Sequence, residues 1–169
     1  PGVGSLTARD NGFKDTLAKK YPGLKVVANR YGDDDATKAL SVMLDILSAN
    51  PDLVGVFADN LTMGVGVGKA IEEQKAAKKV SAISFDSSDQ LVTYLKSGAI
   101  GSLIIQDPYM MGYGGVRAAM LAASGTKLPK DVDTGAYAVT LKNFNSAQIQ
   151  GLLDSSKRKI DKNKLGLGF

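Results

Sequence analysis

The 169-residue chain contains no cysteine and no histidine. Without cysteine there is no disulfide, no zinc–thiolate site and no thiol nucleophile. Without histidine there is no histidine-based triad. The missing cysteine says little about compartment, because many exported bacterial proteins use none. No apolar run approaches the roughly 20 residues that a membrane helix needs. The opening Pro1-Gly2-Val3-Gly4 shows neither the charged n-region nor the apolar h-region of a signal peptide, and it lacks an initiating Met. It reads as the start of a mature, processed or cut chain.

A strong excess of one charge is missing as well. The net charge is +4, but its placement argues against a nucleic-acid interface. From Asp154 onward, Lys157, Arg158, Lys159, Lys162 and Lys164 face only Asp154 and Asp161, which gives +3, while the rest of the chain carries +1. No basic stripe interleaves with aromatics. The excess reads as a solvated polar tail. Hydrophobic residues at 44% and charged residues at 22% match a soluble globular protein, and 169 residues suffice for one core.

Short apolar runs recur at Leu24–Asn29, Leu53–Ala58, Val80–Phe85, Ile100–Ile105 and Ala136–Leu141. None alternates cleanly, as expected of strands buried on both faces of a parallel sheet. Helical patterns lie between them. Phe13, Leu17 and Tyr21 recur every four residues. Ala36–Ser48 carries an apolar face, with Asp33-Asp34-Asp35 as cap and Asn50-Pro51 as stop. Leu61–Ala76 reads as a helix despite Gly64, Gly66 and Gly68. Ser88–Ser97 has Ser87 or Ser88 as its cap and Gly98 as its stop. Tyr109–Ser124 and Ser146–Asp154 complete the set. The order predicts a doubly wound α/β parallel sheet with right-handed crossovers. Such a sheet ordinarily starts with a strand. Starting with a helix leaves an inner strand unaccounted for, so the chain is expected to be part of a longer fold.

Ligands of open α/β sheets bind beyond the carboxyl ends of the strands. Those ends here carry Asp33-Asp34, Asp59-Asn60, Asp86-Ser87-Ser88 and Gln106-Asp107, and Arg9 stands at the head of the first helix. Carboxylates accept pairs of hydroxyl hydrogen bonds, guanidinium donates a planar fork, and amides do both. The set suits a neutral polyhydroxyl ligand. Each residue also has a plainer explanation. Asp59 or Asn60 can cap a helix, Asp86 with Ser87 can be only a cap, and Gln106-Asp107-Pro108 can be only a turn. Arg9 near a helix N-terminus is unfavourable to the dipole, which suggests another reason for it. The glycines at 64, 66 and 68 give a weak phosphate-loop signal, since no Gly-Lys-Ser/Thr follows, and read better as a packing face.

Arg9–Phe13 (RDNGF), Asn50–Asn60 (NPDLVGVFADN), Val80–Ser88 (VSAISFDSS), Leu95–Val116 (LKSGAIGSLIIQDPYMMGYGGV) and Asp133–Asn143 (DTGAYAVTLKN) together resemble the C-terminal half of type I periplasmic sugar-binding proteins, nearest the ribose-binding branch. The resemblance covers nearly the whole chain. It implies a two-lobe clamp that closes on a monosaccharide or polyol for an ATP-driven (ABC) importer in the bacterial periplasm. It implies no catalysis, cofactor, metal or nucleic-acid partner. By resemblance, Arg9 donates to the sugar, Asn60 binds a hydroxyl, Asp86 bridges two adjacent hydroxyls, and Gln106 is the last contact before the hinge. Asp34 stands where ribose binders carry a stacking aromatic, so a different sugar or a polyol is expected. With Asn60 assigned to the ligand, Asp59 is the expected structural residue.

The resemblance further implies that residues 1–106 form the C-terminal lobe without its first strand. Residues 107–134 would cross the hinge into the N-terminal lobe, and 135–169 would return. The expected partners are the sugar, a membrane permease, and the N-terminal half, as a second chain of a nicked protein or as further residues. The alternative is the effector-binding core of a lac-repressor-like transcription regulator. Against it stand the Gln106-Asp107-Pro108-Tyr109 segment, which is closer to exported binders, and a basic tail that is no recognition helix. For an enzyme, the sequence offers no nucleophile–base pair, metal-ligand cluster or cofactor fingerprint.

Overall fold

The computed structural model describes residues 3–158, and the chain divides between Ile104 and Ile105 into two compact units. The first unit holds α1 (Gly4–Lys20), α2 (Ala36–Ala49), β1 (Gly55–Ala58), α3 (Leu61–Glu73), β2 (Ser81–Phe85), α4 (Asp89–Ser97) and most of β3 (Ser102–Gln106). The last two residues of β3 open the second unit, which continues through α5 (Pro108–Ala123), β4 (Ala136–Val139) and α6 (Ala147–Leu153).

In the first unit β2 lies between β1 and β3, and all pairing is parallel. Val56 stands opposite Ala82, and Ser84 opposite Leu103. Helices α3 and α4 make the crossovers, as a parallel sheet requires. Local chemistry sets the helix ends. The Lys38 N–H donates to Asp35 at the head of α2 (2.8 Å), and the Leu91 N–H donates to Ser88 at the head of α4 (3.2 Å). Helix α4 stops at Gly98, whose φ of 84° only glycine adopts freely. Helix α3 ends three residues before the sequence-based expectation. Lys75 turns left-handed there (φ 52°), and a 3₁₀ turn follows at Ala76–Lys78. The core gathers Ile71, Leu91, Leu95, Ile100 and Leu103, all buried. Each such side chain contributes roughly 1.5–3 kcal/mol on burial.

The glycines of α3 are a packing face, as expected. A Cβ on Gly66 would stand 2.5 Å from the Ala36 carbonyl oxygen and 2.5 Å from the Ala39 Cβ. A Cβ on Gly68 would run into the Tyr94 ring, and one on Gly64 into Ser84. One helix thus approaches α2, α4 and β2 at distances that no side chain permits.

The run Leu24–Asn29 overturns its expectation. It forms no strand, and Leu24, Val26 and Val27 are exposed. A strand needs a ladder neighbour, and among the described residues this segment has none. β1, β2 and β4 form one or two residues inside their expected bounds, while β3 starts two residues later than expected and ends one residue later, at Gln106.

In the second unit, Met110 anchors a cluster with Tyr113, Ala118, Leu121 and Leu128. Asp107 is 1% exposed and caps α5, accepting from the Met110 N–H (2.9 Å). Its other carboxylate oxygen pairs with the Arg158 guanidinium, which also lies over the Tyr109 ring, 4.9 Å from the centroid. Arg158 therefore departs from the solvated tail expected of it. Lys159, Lys162 and Lys164 lie outside the described residues.

Candidate functional site

Four of the five expected site residues belong to the first unit, and packing brings them to the carboxyl edge of its sheet. Arg9 projects from α1. Its Nη1 donates to the Asp59 carbonyl (2.9 Å), and its Cζ lies 3.5 Å from the centroid of the Phe85 ring. That cation–π contact, worth about 0.5–2 kcal/mol, gives the positive charge a reason to sit in the early turns of a helix. Phe13, one turn on, stacks on Phe57 with centroids 5.1 Å apart, which fixes the face that α1 presents.

Asn60 serves two partners. Its Oδ1 accepts from the Met63 N–H and caps α3 (2.8 Å), while its Nδ2 faces Asp34 Oδ1 at 3.4 Å. The capping role therefore falls on Asn60, where the sequence favoured Asp59 as the structural residue. Asp59 instead contributes its carbonyl to Arg9. Burial and then the like charge of Asp10 push its carboxyl above the usual carboxylate range. Asp33 and Asp34 are both left-handed (φ 52° and 58°), and Asp33 pairs with Lys38 on the surface.

Asp86 follows Phe85 directly and has φ of 66°, a region that costs a non-glycine residue about 1 kcal/mol. Its N–H donates to the Ile104 carbonyl (2.8 Å), so the backbone is fixed by the β3 ladder while the side chain leaves the strand end half-buried. Gln106 is half-buried in the second unit, at the end of β3.

Sequence reasoning missed Phe85 as a partner of Arg9 and Asp10 as a neighbour of Asp59. The available signal was an aromatic directly before a strand-end carboxylate, which gives a nearby cation a ring to cover.

A cavity of about 480 Å³ opens between β1 and residues 28–34. Asp33, Asp34, Asp59 and Asn60 rim it, but its body is apolar, with Val42, Met43, Ile46, Val56 and Val67 on its walls. Arg9 and Asp86 do not line it. A polyhydroxyl ligand needs donors and acceptors on its walls, so the edge carrying Arg9 and Asp86 fits one better than this cavity does. Among the described residues, no group of three or more metal-ligating side chains is placed to hold an ion, and no helix is long and apolar enough to cross a membrane.

Comparison with known proteins agrees with this architecture. Residues 1–127 match the family model for the periplasmic binding protein domain. The ribose import binding protein RbsB of Haemophilus influenzae is 34% identical over 128 residues, covering 75% of this chain and 42% of that protein. A carbohydrate transporter solute-binding protein from Agrobacterium radiobacter, solved in complex with D-arabinose, is 51% identical with a TM-score of 0.86, over 91% of this chain and 52% of that one. An ABC transporter solute-binding protein from Agrobacterium vitis, bound to α-D-tagatopyranose, is 33% identical with a TM-score of 0.84, over 90% and 51%. The chain spans about half the length of these relatives. It belongs to the periplasmic binding protein family, and is related to the ribose import binding proteins.

Proposed function

We propose, from that membership, that the chain supplies part of the sugar-contacting surface of a solute-binding protein. The protein would hold a monosaccharide or polyol between two lobes and deliver it to the permease of an ATP-driven importer, on the periplasmic side of the membrane. It would act by binding alone, without chemistry on the ligand, a cofactor or a nucleic acid. Residues 1–106 would form one lobe, 107–134 the crossing into the other, and 135–169 the return. The N-terminal half would complete both lobes. The exposed Val116 and Met120 on α5 are consistent with a face that meets further polypeptide.

One observation carries most of this proposal. Asp86 keeps a carboxylate in left-handed backbone at the end of a buried strand, where glycine would be unstrained. A strained polar residue beyond a strand's carboxyl end is where an α/β sheet positions a ligand group. There the carboxylate would bridge adjacent hydroxyls, Arg9 would donate to the sugar, Asn60 and Asp34 would take further hydroxyls, and Gln106 would add the last contact. Affinity would come from polar pairs dried by lobe closure.

The test is calorimetry on the protein completed by its N-terminal half. D-Arabinose, D-tagatose and D-ribose come first, followed by a wider panel of pentoses, hexoses and polyols. Asp86→Gly should hold or raise stability by up to about 1 kcal/mol as the strain is released. It should also weaken binding of the preferred sugar at least tenfold. Unchanged affinity would remove Asp86 from the site, and no binding across the panel would remove the proposal.

A further inference from the structure

We propose that Arg158 is a positioning residue for the ligand: its planar guanidinium fork holds the buried Asp107 carboxylate and thereby fixes the backbone that presents Gln106. The assignment rests on the reading of Gln106 as a ligand contact. It adds to that site a residue that acts only through Asp107, fifty-one positions earlier in the chain.

Asp107 joins three segments of the second unit. Its backbone continues directly from Gln106, the last residue of β3. Its Oδ1 accepts from the Met110 N–H and so sets the start of α5 (2.9 Å). Its Oδ2 accepts from Arg158 Nη2. Capping alone requires neither burial nor a counter-charge, since Asp35 caps α2 from an exposed position. Asp107 is 1% exposed, where an ionised carboxylate needs a paired cation.

Local chemistry delivers that cation. Asp154 closes the turn before Arg158: its Oδ1 accepts from the Ser156 N–H (3.0 Å) and hydroxyl (2.6 Å), and its Oδ2 pairs with Lys157 (3.1 Å). Gly151 on α6 leaves room for the returning backbone, because a Cβ there would stand 3.2 Å from the Arg158 Cα. The Arg158 side chain lies over the Tyr109 ring, which is itself stacked on Tyr113 with centroids 6.5 Å apart. The guanidinium is therefore held before it meets Asp107.

Stability alone does not account for the pair. A buried ion pair is often no better than apolar side chains of similar volume. The Arg158 Nε is buried and has no hydrogen-bond partner among the described residues, so the guanidinium is only partly compensated. What the pair adds over an apolar contact is direction. A planar fork donates along fixed lines and holds a carboxylate in one orientation. The residue so oriented is the one that follows Gln106.

The test uses the protein completed by its N-terminal half, with Asp107→Asn and Arg158→Met combined. Asn keeps an oxygen for the Met110 N–H, and neither charge is left alone. Amide relaxation by NMR, without sugar, reads the Gln106 backbone. Calorimetry and stopped-flow mixing read D-arabinose, D-tagatose and D-ribose. The Gln106 order parameter should fall from about 0.85 toward about 0.6. Sugar affinity should fall at least tenfold, through faster dissociation, while the urea midpoint stays at the parent's value. Arg158→Lys, which keeps a charge but not the fork, should also fold and weaken binding about threefold. Three results would overturn the assignment: parental order at Gln106 in either variant, parental affinity where that order has fallen, or an affinity loss that only follows a loss of stability. If none of the sugars binds the parent, the sugar proposal falls, and order at Gln106 still decides whether Arg158 positions it.

Discussion

Gly66 offers the sharpest test of how the first unit is packed. Alanine is the better helix former by about 1 kcal/mol, so Gly66→Ala should stabilise α3 on propensity alone. Its new Cβ, however, would sit 2.5 Å from the Ala36 carbonyl oxygen and 2.7 Å from the Leu40 backbone N. These are backbone atoms of α2, and no rotamer moves them away. Relief requires the two helices to separate, and overpacking of that kind costs roughly 1–3 kcal/mol or somewhat more. After the propensity gain, a net loss of about 1–2 kcal/mol is expected. Gly12→Ala is the matched control. Gly12 lies mid-helix in α1 of the same unit, and its Cβ would meet nothing within 4 Å. Only propensity acts there, so a gain of about 0.5–1 kcal/mol is expected. Urea denaturation followed by circular dichroism reads both. With a slope near 2 kcal/mol per molar, the midpoints should separate by about 1 M, Gly66→Ala below the parent and Gly12→Ala above it. Shifts in the same direction would show that helix propensity governs α3 and that the close α2–α3 approach does not.

Asp59→Asn should change how stability depends on pH. The folded-state value of the Asp59 carboxyl is raised, chiefly by burial, so folding favours the protonated form. The contribution is most favourable below the ordinary carboxylate range and is lost as pH rises through the raised folded value. The variant should therefore exceed the parent near pH 7 and lose that advantage toward about pH 3. Urea midpoints across this range decide it, and a constant difference would refute it. In the second unit, Asp107→Ala would strand the Arg158 guanidinium, whose side chain is 11% exposed. A loss of about 3–5 kcal/mol is expected, with most of it recovered when Arg158 is also replaced by Met. Thermal melts of the single and double variants measure this, and a single-variant loss below about 1 kcal/mol would contradict it.

The helix boundaries were legible because caps and stops are local. Asp35, Ser88 and Gly98 each act within four residues of themselves, and their side chains name the role. The strand at Leu24–Asn29 was misread for the opposite reason. Its β-branched composition is local, but a strand exists only against a neighbour, and no residue within the segment reveals whether the neighbour is there. Arg158 shows the same limit from the polar side. Inside a basic tail it reads as solvated, and only the fold brings it to a buried carboxylate fifty-one positions earlier. The left-handed turn at Asp86 was equally hidden. Its N–H bonds the Ile104 carbonyl of another strand, a partner that neither Phe85 nor Ser87 reveals.

The polar edge looked uniform in sequence, but its members are not equally free to bind. Arg9 is held by the Asp59 carbonyl and the Phe85 ring. Asn60 has given its Oδ1 to the cap of α3. Both therefore have structural reasons to be where they are, and their loss would cost stability whether or not a ligand exists. Asp86 differs. Its backbone bond needs only an N–H, which any residue except proline supplies, and its φ would favour glycine over aspartate. The fold thus gains little from the carboxylate at that position and bears its strain. A carboxylate kept where the backbone would favour glycine is best explained by something outside the chain that it holds. Loss of binding without loss of stability at Asp86 would separate that role from the structural roles of Arg9 and Asn60.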